Sequence, residues 1–244
     1  TTSRSGVGDL VSFGIQVISS SPGTKNNFTF RDMTFKNVYG LSWVDPVNQE
    51  AFNAFEVSGL TFKSSWAGII NDVVVEDSYF TDLQRIGIHI KNTSGKTSDK
   101  RNTNIVVRRN EFFQIGGTCV LPIRTENCLI ENNIFNQPGA KTNDKMIGRG
   151  SAVWNWYSIN TIVQYNQAIN AKGILDSHGL HVDHSNVDTF IQYNYMQDCE
   201  GGFVEILGHS SVHKYLGRAF SGNLCQRGKV ATEHRLRCAW LRFH

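Results

Sequence analysis

The sequence predicts an all-β chain folded as a right-handed parallel β-helix, a solenoid of about 7–8 stacked coils. Three observations carry that prediction. Six segments repeat without a gap, one position within them is Asn in four successive repeats, and no long window shows the helical period of 3.6 residues.

The repeats are NFTFRDMTFKNV (27–38), DVVVEDSYFTDL (72–83), NIVVRRNEFFQI (104–115), NCLIENNIFNQP (127–138), NTIVQYNQAINA (160–171) and DTFIQYNYMQDC (188–199). Each opens on Asn or Asp, runs through a short strand, turns, and enters a second one. Their starts lie 45, 32, 23, 33 and 28 residues apart. This reads as a coil of roughly 23 residues with insertions of variable length, the first interval being expected to hold two coils. The seventh position is Asn110, Asn133, Asn166 and Asn194, preceded by Ser78 and Met33. Asn tolerates a left-handed backbone and can hydrogen-bond up a stack, so these residues are expected to make the turns and to form a ladder.

Polar, Gly-rich insertions fall at 92–103, 139–150 and 173–178 and are expected to be surface loops around one strand stack. The repeat is expected to occupy residues 1–208, incomplete at one or both ends. Residues 209–244 are expected to be an atypical tail, either a cap or a mis-joined end. The net charge is +3, but the tail holds seven Lys/Arg and one acid, which leaves 17 basic and 20 acidic residues before it. A nucleic-acid partner is therefore not expected, nor is a membrane partner, since no run reaches the roughly 20 apolar residues of a span. Cys119, Cys128 and Cys199 lack a CxxC spacing and are expected to be buried small hydrophobes.

The strand before each repeat segment aligns as IGIHIKN (86–92), GTCVLPIR (117–124), GSAVWNWY (150–157), HGLHVDHS (178–185) and GGFVEILG (201–208). A period of two places Leu180, Val182, Ala152, Trp154, Trp156, Val204 and Ile206 inside. It places His89, Lys91, Val153, Asn155, His181, Asp183 and Glu205 outside. Of eight histidines in the chain, the four before residue 209 (His89, His178, His181 and His184) all fall on or beside this stack. Asp183 and Glu205 are 22 residues apart, about one coil. Two carboxyls on neighbouring coils suit glycosidic-bond hydrolysis, one protonating the leaving oxygen while the other attacks or activates water. His181 would orient one of them, with His89, Lys91, Arg149, Asn155, Asp176, His178 and His184 contacting substrate. Tyr157 and Trp66 are candidate sugar-stacking platforms.

The competing chemistry is β-elimination on a uronic-acid polymer, with His181 or His178 as base and Lys91, Arg124 or Arg149 as the neutralising cation. No metal is expected; calcium held by Asp176, Asp183 and Glu205 is the alternative.

The repeat resembles the right-handed parallel β-helix families of polysaccharide lyases and glycoside hydrolases over residues 9–208, with 179–208 the stretch most similar to bacterial β-helix repeat proteins. That resemblance implies a polysaccharide or oligosaccharide substrate, a monomer, and an extracellular or periplasmic location. A non-catalytic carbohydrate-binding solenoid or an inactive fragment is the reading from another class.

Overall fold

A computed structural model describes residues 11–40, 43–95, 98–207 and 218–226. These form a right-handed parallel β-helix of three parallel sheets, each with seven strands. The first sheet stacks β1 (Val11–Ser19), β4 (Glu56–Ser64), β7 (Ile86–Asn92), β10 (Val120–Ile123), β13 (Val153–Asn155), β16 (His178–Val182) and β19 (Gly202–Ile206). The second stacks β2 (Gly23–Arg31), β5 (Gly68–Glu76), β8 (Asn102–Arg108), β11 (Thr125–Glu131), β14 (Ile159–Gln164), β17 (Val187–Gln192) and β20 (Arg218–Ser221). The third stacks β3 (Thr34–Val38), β6 (Tyr79–Leu83), β9 (Glu111–Ile115), β12 (Ile134–Pro138), β15 (Gln167–Ile169), β18 (Tyr195–Gln197) and β21 (Leu224–Gln226). Each strand lies directly on its counterpart in the next coil, so equivalent repeat positions become rungs of continuous ladders.

The ninth repeat position builds the core. Phe35, Phe80, Phe112 and Phe135 stack with ring centroids 4.7, 4.7 and 5.1 Å apart. Ala168 and Met196 continue that row by register. Beside it run Val75, Val107, Ile130, Val163 and Ile191, all buried. A solenoid coil cannot bury its apolar face alone, and this coil-on-coil burial stabilises it.

The Asn ladder forms, by a different division of labour from the one expected. Asn133 Oδ1 accepts from the backbone N–H and the amide of Asn110, while Asn133 donates to Val107 O and to Asn166 Oδ1. Asn166 bonds Asn194 in the same way, and Asn194 bonds Asn223. The left-handed residues are others: the first, sixth and eleventh positions of every repeat have φ between 51° and 64°. Asn127, Asn132 and Gln137 show the pattern in one coil. The leading Asn or Asp therefore bends the strand, the sixth position makes the turn, and the seventh satisfies buried backbone groups.

Two expectations about organisation are corrected. Residues 27–38 pair directly with 72–83, as in Phe28↔Val73 and Phe35↔Phe80, so the first interval is one coil and not two. Its extra length includes the short helix α1 (Gln49–Ala54), capped by Asn48 Oδ1, which accepts from Ala51 N–H. The repeat also does not stop at 208: β20 and β21 pair with β17 and β18, and Asn223 extends the ladder. Residues 208–217 and 227–244, and with them most of the predicted tail, lie outside the described residues. Cys119, Cys128 and Cys199 are buried thiols. Among the described residues no helix is long and apolar enough to cross a membrane.

Candidate active site

The outer face of the first sheet carries one row of side chains through successive coils. Register places Thr61 on His89 and His89 on Leu121, then Trp154 on His181 and His181 on Glu205. Trp154 thus faces outward, opposite to expectation. Val153 pairs with Leu180 and lies in the core with its neighbour Ala152. Strict alternation holds only inside a paired strand, and β13 begins at Val153, so counting parity from Ala152 is off by one. By the same register Asn155 pairs with Val182 in an inward row, where it is buried and its amide donates to Thr189 Oγ1 at 3.3 Å. Asn155 is therefore interior rather than a groove residue.

The end of this row gathers the predicted carboxylates. His178 Nδ1 lies 3.0 Å from Glu205 Oε2, and His181 Nε2 lies 3.5 Å from the same oxygen. His181 Nε2 is also 3.9 Å from Asp183 Oδ2. One imidazole nitrogen therefore stands between two carboxyls. Their facing oxygens are no farther apart than those two legs laid end to end, inside the roughly 9.5 Å upper limit for glycosidase pairs. Asp183 Oδ2 accepts the indole N–H of Trp154 at 2.6 Å, and Oδ1 accepts the backbone N–H of His184 at 2.6 Å. Burial pushes the Asp183 carboxyl above the usual range, and these two donors only partly oppose it. Asn186 fixes the turn by donating to Asn155 O and Asp183 O while accepting from Ser158 N–H. His178, His181, Asp183 and Glu205 are all buried; His184 is the most open of the group, its side chain 36% exposed.

Other predicted residues are engaged in contacts of their own. Arg149 grips Asp176 and donates to Pro46 O and Gln49 Oε1, with Phe52 under its guanidinium at 4.3 Å. This pair clamps α1 onto the solenoid. Lys91 is held by Glu56 at 2.6 Å, and Lys63 takes the second oxygen of that carboxylate at 2.8 Å. Burial alone would raise the Glu56 carboxyl, but Lys91, His89 and Lys63 outweigh it and bring it down to about 2. His89 is buried and pushed down to about 3 by desolvation, with Glu56 opposing. Of the three carboxylates that calcium would need, Asp176 is engaged by Arg149 while it still acts on Asp183 through space. The donors that do converge are on His178, His181 and Glu205, within 4.8 Å of one another, a nitrogen-rich set that suits a borderline transition ion better than calcium.

A cavity of about 420 Å³ opens over the middle of the same row, lined among others by Phe52, Arg85, His89, Leu121, Trp154, Trp156 and Tyr157. Helix α1 forms part of its wall, and Phe52 lies 6.4 Å from Trp154 in a second apolar cluster outside the coil. Tyr157 joins the wall, whereas Trp66 is 75% exposed and is not part of it. Arg85 and Phe52 carry no signal in the sequence because they belong to a turn and an insertion, where periodicity says nothing. Trp154 is legible as an aromatic, but a period of two counted from Ala152 places it on the opposite face.

No family model matches the sequence, and no curated protein does. Among solved structures the chain is similar to a GH136 lacto-N-biosidase from Eubacterium ramulus. Its selenomethionine derivative superposes with a TM-score of 0.64 and its native protein with 0.62, each at 16% identity and over 88% of this chain. The chain spans 45% of the length of those enzymes. At that identity the likeness is one of fold.

Proposed function

We propose that this β-helix is a carbohydrate-active enzyme that hydrolyses glycosidic bonds in a polysaccharide. The observation that supports it most is His181 Nε2 standing 3.9 Å from Asp183 and 3.5 Å from Glu205. In this reading Asp183, kept protonated more readily by burial, gives its proton to the leaving glycosidic oxygen. Glu205, faced by His178 and His181, supplies the second carboxyl, and His181 is the positioning residue between them. Substrate approaches past His184, the open edge of the group. The likeness in fold to a glycoside hydrolase agrees with this reading, and we propose with it that the protein acts as an extracellular or periplasmic monomer. Elimination is less well supported because its neutralising cations are engaged. Lys91 is on Glu56, Arg124 donates to Ser98 O and stacks on Tyr157, and Arg149 is on Asp176.

The test is a polysaccharide panel read for new reducing ends and for the ultraviolet absorbance of unsaturated sugars. Reducing ends without that absorbance are expected, with Asp183→Asn and Glu205→Gln each lowering the rate by about 10²-fold or more. Hydrolysis intact in both variants would remove the assignment, unsaturated products would establish elimination, and binding without turnover would make the chain a binding module.

A further inference from the structure

The cavity beside the carboxylate row has an unusual charge balance. Arg85 is only 5% exposed, and among the described residues its Nε has no hydrogen-bond partner and its guanidinium no ion pair. Its close neighbour is the ring of Phe52, 4.2 Å from the guanidinium carbon. His89, 3% exposed on the same wall, has no hydrogen-bond partner at either ring nitrogen among the described residues. Among the described residues no Asp or Glu lines the cavity. The nearby Glu56 attracts Arg85 only through space, because both of its oxygens are in contact with Lys63 and Lys91 and neither reaches the guanidinium. A guanidinium taken out of water without a counter-ion in contact is costly, and a concave site holding one is shaped for an anion.

The remaining wall narrows the kind of anion. Trp156 and Tyr157 stack on each other at the cavity edge, with ring centroids 5.6 Å apart, and aromatic faces of this kind suit the apolar face of a sugar ring. We propose that the cavity is a subsite for the carboxylate of an acidic sugar unit, gripped by the fork of Arg85 and by a hydrogen bond from His89. The proposal rests on the polysaccharide-cleavage reading for its substrate and adds the class of sugar. His89 and His181 are three rungs apart on the row, about 14 Å at roughly 4.8 Å per rung. The acidic unit therefore sits at a distance from the scissile bond, and its binding contributes to positioning the chain rather than to the reacting carbon.

The experiment uses the full chain carrying Asp183→Asn, so that binding is read without turnover. Calorimetry compares glucuronate- and galacturonate-containing oligosaccharides with their carboxyl-reduced neutral counterparts and with inorganic sulfate. At least one acidic oligosaccharide is expected to bind tenfold or more tightly than its neutral counterpart. Arg85→Met is expected to bring it down to the neutral affinity. Equal affinity across every acidic and neutral pair overturns the subsite without needing any Arg85 variant, and so does a preference that survives Arg85→Met. Inorganic sulfate binding as tightly as the acidic oligosaccharide, and displacing it, would reduce the site to a general anion site and overturn the sugar assignment. The readout is separate from the cleavage test. Acid preference without cleavage sinks the hydrolase alone, and cleavage without acid preference sinks the subsite alone.

Discussion

Trp154 lies flat against His181, ring centroids 4.6 Å apart and planes 11° from parallel, while its indole N–H donates to Asp183 Oδ2 at 2.6 Å. One side chain therefore joins the cavity wall to the carboxylate group. It fixes the imidazole by stacking and the carboxyl by a hydrogen bond, two restraints that a phenyl ring would reduce to one.

Trp154→Phe keeps the stack and removes the donor. A donor to a carboxylate favours its charged form, so its loss raises the Asp183 pKa further. If Asp183 is the general acid, the basic limb of the pH–rate profile moves to higher pH. A limb that stays in place or moves down would sink Asp183 as the proton donor.

His89 titrates near 3 when folded against roughly 6.5 in the unfolded chain. The unfolded state binds more protons between those values, so this contribution to stability is present above about pH 6.5 and lost as pH falls. His89→Leu, matching Leu121 on the next rung, removes that loss. Its stability relative to the parent should gain up to ~1.4 kcal/mol per pH unit on acidification. Urea midpoints at about pH 7 and about pH 4.5 check it, and parallel behaviour of the two proteins would refute it.

Glu56 gives a second acid-sensitive contribution. Its folded pKa of about 2 lies below the unfolded value, so its stabilisation is present above about pH 4.3 and lost as pH falls toward 2. Glu56→Gln should cost roughly 1–3 kcal/mol near neutrality, discounted for the partly exposed lysines. The cost should shrink in acid; a pH-independent cost measured by thermal melts would assign it to packing instead.

The ladder and the turn can be separated by adjacent substitutions. Asn133→Ala strips partners from Asn110 N–H and Val107 O, leaves Asn166 Oδ1 only the backbone N–H of residue 133, and should cost about 2–5 kcal/mol. Asn132→Gly, at φ 54°, should be close to neutral, while Asn132→Val should cost ~1–2 kcal/mol. Equal losses at Asn132→Gly and Asn133→Ala, seen as denaturant midpoints, would contradict this division.

The solenoid was legible in the chain because each coil writes the same pattern. Apolar residues at the ninth position and Asn at the seventh recur wherever a coil must bury a side chain or satisfy a buried carbonyl. The same pattern was present, unread, at 219–226, where Gly222 and Asn223 occupy the turn and ladder positions. The gathering of four histidines on one stack was likewise visible, since strands stacked coil on coil turn sequence spacing into proximity. Which of those side chains meet was another matter. Asn155 and Trp154 differ by one position, and a break in alternation at Val153 sends the first inward and the second out to His181. Arg149 and Asp176 looked like site residues, yet they clamp a helix more than ninety positions away in the chain. Arg85 gave no signal, because its isolation comes from Phe52, brought over it by an insertion that no periodicity describes. Local repetition specifies the coil; long-range packing specifies the charges that the coil leaves unpaired.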